Sequence, residues 1–486
     1  MILFFLLLAT KVFGDFVDVQ TLFGTVRGIH DPISNVDIFR GIPYSNKAKR
    51  LEKSTLIHRW SSILNATDYA PKCIQYLKLN IHNTSDDCLF LDIYKPSNIH
   101  KNSNVPVVVY IHGGAFVSGS VNEKSSNFFA QQYAKKVGCD NSASFPCNIG
   151  LWDQVTAFKF INQTIHSFGG NPKKMTLWGH SAGSISASIH SKSPISSGYF
   201  KNFIEMSGSS YGLDFAKRFN DHKRNSINIL NELGCTNSSE YVSCFNKVDP
   251  SVIIKNTPNV MLPDVGDSLL PFNHSFTYSQ NVFIGLTSLE SLYFVLKVNS
   301  SSKLDQLTVQ ESIDIIQSGL KLTNLPIDKL IYRLMQQYGI SPAEAAIRIL
   351  SVIQFDGPVL MEIDERVLKS NSNVFVYHHK YFNPKIFKDD FSFKQSFHTT
   401  ILPYTIDEFY SHNFTFTQKD TEIQKFYVES LINFIKTGNP SIVGIQFSPT
   451  TIKRQYLEVG NNFTFKNEFF EEQHKLAKVI HQTLAQ

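Results

Sequence analysis

The sequence predicts an α/β fold, a mostly parallel central sheet with helices on both faces. Three observations carry this. Val105–Ile111 (VPVVVYI) is a nearly unbroken β-branched run of the kind found in strands covered on both faces. Further short apolar runs at 175–178, 203–206, 282–284 and 374–382 alternate with helical patterns, as a parallel sheet with crossover helices requires. Between two of them, residues 168–183 (FGGNPKKMTLWGHSAG) place Ser181 where a strand turns sharply into a helix, flanked by Gly179 and Gly183.

Bulk properties agree with a folded chain. In 486 residues, 42% are hydrophobic and 18% charged, outside the range of disordered proteins. The net charge of +5 is spread along the sequence, which excludes a nucleic-acid footprint. Residues 1–14 hold an apolar run and a small residue before Asp15 and read as a secretory signal peptide, too short to span a bilayer. No later run reaches spanning length, so a secreted protein without a membrane span is expected, with residues 15–486 as one domain. Glycosylation sequons at Asn65, Asn83, Asn162, Asn237, Asn273, Asn299, Asn413 and Asn462 suit that compartment, as do six cysteines. Cys73 with Cys88 and Cys235 with Cys244 are near enough in sequence to staple short loops. Cys139 and Cys147 form a third local pair or stay free thiols.

The elements follow in order. Residues 15–65 read as short strands between glycine and proline turns, and 90–94 as a strand after Cys88. The run at Val105–Ile111 ends in His112-Gly113-Gly114-Ala115-Phe116. Helical patterns cover 128–136 and 151–166, then the strand at 175–178, the Ser181 turn and a small-residue helix at 184–192. Residues 308–350 are mostly helical, with Ser341-Pro342 as a helix start, and 421–437 is an amphipathic helix closed by Gly438 and Pro440.

A serine hydroxyl needs a base to take its proton and a third group to orient that base. In sheets with such a turn the chain order is serine, acid, histidine. Of the later histidines, His378 and His379 lie in an apolar strand, His474 and His481 in a polar terminal helix, and His412 is a further candidate. His398, in KQSFHTTILPY, lies in a loop where a mobile catalytic side chain is expected. Glu290 follows the strand and loop VFIGLTSLE, at the carboxyl end of a buried strand, and is the candidate acid. The glycine pair after VPVVVYI offers close backbone donors for an oxyanion.

With these residues in view, the chain resembles the type-B carboxylesterases, the cholinesterase-like branch of the α/β-hydrolases, over nearly its whole mature length. Phe168-Gly169-Gly170 with Gly179-His180-Ser181-Ala182-Gly183 fits the family's active-serine signature, and Asp86-Asp87-Cys88-Leu89-Phe90-Leu91-Asp92-Ile93-Tyr94-Lys95-Pro96 its second. The resemblance implies disulfides Cys73–Cys88 and Cys235–Cys244, and catalytic roles for Ser181, Glu290 and His398. It places oxyanion donors at the N–H groups of Gly114, Ala115 and Ala182. The activity implied is hydrolysis of small-molecule carboxylic esters through an acyl-enzyme, with no metal or organic cofactor. Oligomeric state is not legible.

Two departures matter. The architecture expects a further buried strand beside Val105–Ile111, but residues 137–150 hold only VGCDNSASFPCNIG, so one central strand is missing. Losing about five buried aliphatic side chains at roughly 1.5 to 3 kcal/mol each would consume most of a typical fold's stability. A catalytically impaired or non-enzymatic binding protein is therefore the alternative reading. Residues 74–87 also lack the tryptophan of a choline site, and His180 stands where cholinesterases carry glutamate, so choline esters are not expected as preferred substrates.

Overall fold

Alternating polar and apolar residues separated by turns make the start of the chain pair antiparallel in the computed structural model. This describes residues 15–485 apart from 48–49, 51, 76–83, 121–147, 213–230, 238–239, 250–251, 253–262, 264–266, 272–278, 299–303, 305, 321–325, 370, 388–390 and 409–413. Strands β1 (Phe16–Gln20), β2 (Thr25–Asp31) and β3 (Val36–Pro43) form a meander, and β4 (Leu64–Asn65) adds to β2. Strands β5 (Lys72–Cys73) and β6 (Thr84–Ser85) pair with each other beside the Cys73–Cys88 disulfide, and β7 (Phe90–Pro96) pairs with β3. A second disulfide joins Cys235 and Cys244. Cys139 and Cys147 lie outside the described residues, as do residues 1–14 and 128–136.

The main sheet runs in chain order. Strands β8 (Val105–Ile111), β9 (Gly170–His180), β10 (Asn202–Met206), β11 (Asn281–Thr287), β12 (Val374–His379) and β13 (Tyr456–Val459) are parallel, and β14 (Phe463–Lys466) closes one edge antiparallel. Its helices include α1 (Ile149–Thr164), α2 (Ala182–Lys192), α3 (Leu292–Val298), α4 (Val309–Leu320), α5 (Ile327–Tyr338), α6 (Pro342–Ser351), α7 (Gly357–Lys369), α8 (Gln418–Thr437) and α9 (Glu471–Ala485). The expected parallel sheet is thus present, while the β13–β14 hairpin has no counterpart in the sequence reading. Strand side chains alternate between two cores, as a period of two dictates. Val282, Ile284, Val374 and Val376 join α7 residues Val359, Leu360 and Ile363 on one face. Phe283, Phe375 and Tyr377 meet α8 residues Ile423, Phe426, Tyr427 and Phe434 on the other. Burial of each such side chain contributes about 1.5 to 3 kcal/mol.

Helix ends follow local chemistry. Ser341 caps α6 by accepting the Glu344 N–H at 3.2 Å, with Pro342 in the first turn. Helix α8 starts earlier than its amphipathic pattern, because Thr417 and Asp420 form a reciprocal capping box, and it ends at Gly438 with φ 79°.

Most of the interval in which a further strand is expected lies outside the described residues, and Asn148 leads directly into α1. Among the described residues β8 is the last strand of the main sheet and β7 the last of the N-terminal path. Val108, in the middle of β8, is 39% exposed. One core still joins the sheets: Val26, Phe39 and Ile93 pack in the same cluster as Ile111, Met175 and Leu177.

On α1, Asp153 is only 3% exposed, and neither carboxylate oxygen has a hydrogen-bond partner within 3.5 Å among the described residues. The hydroxyl of nearby Ser54 is committed to Thr156 at 3.0 Å. Burial pushes the Asp153 carboxyl up to about 7, and Ser54 offsets this only in part. An unfolded aspartate ionises near pH ~3.9, so between about pH 4 and 7 the unfolded chain releases a proton that the native chain keeps. Stability therefore falls as pH rises through that window. Asp153→Asn is expected to raise the urea midpoint at pH 8, by the equivalent of a few kcal/mol, and to leave it nearly unchanged at pH 4.

Candidate active site

Ser181 caps α2 at the end of β9 with φ 57° and ψ −122°, a conformation costing a serine about 1 to 3 kcal/mol. The surroundings hold it there. A Cβ on Gly179 would collide with the Gly183 carbonyl, and one on Gly183 with the carbonyls of Ile111 and His112, so the glycines are needed for close approach of α2 to β8 and β9. The Ser181 N–H donates to Met206 O, and Ser181 O accepts the Ile185 N–H, each at 2.9 Å.

Glu290 follows β11, and His398 lies in the loop beyond β12. Their side chains meet: His398 Nδ1 stands 2.6 Å from Glu290 Oε2, with both residues at most 2% exposed. The other carboxylate oxygen accepts Ser207 Oγ–H and the Thr287 N–H, both at 2.7 Å. Burial pushes the Glu290 carboxyl up, but His398, Thr287 and Ser207 outweigh it and hold the carboxyl below its usual range. An ionised carboxylate only accepts, so Nδ1 donates to it, which in a neutral imidazole leaves the lone pair on Nε2.

Although it lies in a loop, the His398 side chain is enclosed. Phe355, His180, Phe294 and Tyr293 surround its ring at centroid distances of 4.6, 4.8, 5.2 and 6.3 Å. Phe355 comes from a π-helical turn, Val352–Asp356, between α6 and α7. His398 Nε2 is buried without a hydrogen-bond partner among the described residues, so this conformation joins Glu290 to His398 without a bond from His398 to Ser181.

The Gly113–Ala115 loop lies against the serine: a Cβ on Gly113 would stand 2.9 Å from Ser181 Cβ. Gly114 at φ 117° and Ala115 at φ 54° turn the backbone sharply, and Gly114 O accepts the N–H groups of Val117 and Ser118 at 2.9 and 3.0 Å. The N–H groups of Gly114 and Ala115 donate to no protein acceptor among the described residues. Ala182 opens α2, where first-turn N–H groups have no partner within the helix. Gln75 braces the loop through two 2.9 Å bonds with Gly119.

Elsewhere, His379 is buried and His378 half-buried, and loss of solvent is the main cause holding both down to about 3. His379 Nδ1 is 3.0 Å from the Tyr427 hydroxyl, which fits a structural histidine. His474 lies beside Asp364 and Arg454, His412 is outside the described residues, and nothing is described of the His481 side chain. Sequence reasoning missed Ser207, whose one signal is a hydroxyl residue directly after a buried strand, and the rings around His398. Asn65, Asn162, Asn237 and Asn462 are exposed, while Asn83, Asn273, Asn299 and Asn413 lie outside the described residues. Among the described residues no helix is long and apolar enough to cross a membrane, and no cluster could hold a metal ion.

A family model described as "Carboxylesterase family" matches residues 15–477. A mouse cholinesterase is 32% identical over 53% of this chain and 48% of its own length. A honeybee venom carboxylesterase-6 is 30% identical over 55% of this chain and 52% of its own length, so the chain spans about half the length of these relatives. A rat pyrethroid hydrolase, Ces2e, is 25% identical over 90% of this chain and 85% of its own length. Ser207→Ala removes one donor from a buried carboxylate, a bond worth about 1.5 to 3 kcal/mol. Stopped-flow labelling of Ser181 by a fluorophosphonate is expected to slow about 10- to 100-fold in this variant.

Proposed function

The chain belongs to the carboxylesterase family, and on that premise we propose that it is a secreted serine esterase acting on small carboxylic esters. Ser181 attacks the ester carbonyl while His398 Nε2 takes its proton. Glu290 fixes the imidazole tautomer and balances the cation that forms. The tetrahedral oxyanion lies toward the N–H groups of Gly114, Ala115 and Ala182. Collapse releases the alcohol, which takes the proton back from His398, and leaves an acyl-serine that water hydrolyses with His398 again as base.

The observation that carries this reading is the buried 2.6 Å contact between His398 and Glu290 at the loops flanking a serine held at φ 57°. The Gly114 and Ala115 N–H groups, without an acceptor among the described residues, support the oxyanion assignment. For the reaction, His398 Nε2 must turn toward Ser181 Oγ, and catalytic hydrogen bonds are often long before substrate is bound. The absent bond is also the observation that favours the second reading, a cholinesterase-like protein that binds ligands without turning them over. Residues 74–87 without tryptophan, and His180 in place of glutamate, argue for general esters over choline esters. Two disulfides and exposed sequons at Asn65, Asn162, Asn237 and Asn462 support export of a glycosylated domain, residues 15–486, after removal of 1–14.

The test is expression of residues 15–486 through a secretory pathway, with p-nitrophenyl ester hydrolysis and fluorophosphonate labelling as readouts. Labelling of the folded wild type and none of Ser181→Ala is expected, with turnover falling on the order of 10⁶-fold in Ser181→Ala. A folded wild type that takes no label overturns the enzyme reading.

A further inference from the structure

His180 occupies a position that neither the serine nor its partners explain. It is the last residue of β9, adjacent to Ser181, and is 4% exposed. Its Nε2 lies 2.9 Å from the backbone carbonyl oxygen of His398. A carbonyl only accepts, so His180 donates through Nε2–H, and Nδ1 keeps the lone pair. The ring lies 4.8 Å from that of His398 at 39°, and Nδ1 stands 3.1 Å from where a Cβ on Gly113 would be. One imidazole therefore touches the three segments that must stay in register: the Ser181 turn through its own backbone, the base loop through a hydrogen bond, and the Gly113–Ala115 loop through packing.

We propose that His180 is a positioning residue that ties the base loop to the nucleophile turn through its bond to the His398 carbonyl. The inference rests on the esterase reading of Ser181 and His398. Burial, and then the neighbouring His398, hold His180 down to about 3, so it stays neutral and adds no second positive charge when His398 takes the serine proton. The base and acid loops are joined to each other by Leu289 N–H to Ser396 O at 2.9 Å and by a long bond from His398 N–H to Glu290 O at 3.4 Å. These bonds join base to acid and leave the distance from base to serine unset. The His180 bond runs from the residue beside the nucleophile to the residue bearing the base, so it sets that distance. Errors of about 1 Å in such distances cost on the order of 10²-fold in rate.

Three variants of the secreted chain separate this role from plain packing. His180→Leu and His180→Met keep an apolar body and lack a donor, while His180→Gln carries an amide that can donate to the same carbonyl. Each is compared by thermal midpoint, by kcat and KM on p-nitrophenyl acetate, and by fluorophosphonate labelling rate. Expected are a fall of about 10- to 100-fold in kcat for the donor-less variants with KM within about threefold, and recovery of most of that loss in His180→Gln. Leu and Met provide two chances of a folded donor-less protein. Unchanged kcat in either folded donor-less variant overturns the proposal, and so does equal impairment of Gln, Leu and Met. A wild type that takes no label overturns the esterase reading instead, which keeps the two failures apart.

Discussion

Everything at the site depends on how closely α2 can approach the ends of β8 and β9. A side chain at 179 or 183 would push the helix off the sheet, and Ser181 would lose the backbone bonds that hold it at φ 57°. Behind the turn, α2 is anchored by a buried ionic cluster. Glu362 of α7 accepts Ser188 Oγ–H of α2 at 2.6 Å and Ser209 Oγ–H of the loop after β10 at 2.5 Å. Arg366 bridges Glu362 and Glu205 at 2.7 and 3.1 Å, and Lys192 lies 3.7 Å from Glu362. Burial raises both carboxyls, but Lys192 and Arg366 pull Glu362 down to about 2, while Glu205, beside Glu362, stays well above its usual range. Glu362 is thus the ionised member, and two serine hydroxyls tie it to α2 and to the loop that carries Ser207.

The same logic separates two carboxyl groups nearer the chemistry. Glu290 is buried but receives three donors and is ionised. Asp356, equally buried, feels Glu290 as a like charge and has one oxygen without a partner, so burial and that repulsion keep it well above the usual carboxylate range. Of the two, the ionised one, Glu290, is the one that contacts His398. Asp356 closes the π-helical turn that also delivers Phe355 onto the imidazole, so a single irregular turn sets both the ring packing and the neutral neighbour.

How much of this can be read in the sequence follows the range of the interactions. The β8 run, the Ser181 turn, the Ser341-Pro342 cap and both short-range disulfides depend on neighbours in the chain, and all are legible. Four-residue strands such as β13 and β14 carry too few alternations to stand out. His398 looks exposed because it sits in a loop, yet residues 180, 293, 294 and 355 enclose it, and no local pattern announces rings arriving from such distant points. Ser207 is hidden for the same reason, since its importance lies in reaching Glu290 across two strands.

Among the described residues β8 ends the main sheet, and this bears unequally on the two halves of the proposed site. Strand β9 is held on both sides, by β8 and by β10, while β8 pairs only with β9 among the described residues. Its pairing Ile111↔Gly179 is the last rung before the Gly113–Ala115 loop begins. Glu290 and His398, by contrast, follow β11 and β12, each bracketed by paired strands. Local opening starts where a segment has fewest partners. Fraying of β8 would carry away the Gly114 and Ala115 N–H groups first and leave the Glu290–His398 contact assembled. In the proposed mechanism, opening at this edge therefore falls on stabilisation of the oxyanion before it falls on activation of the serine.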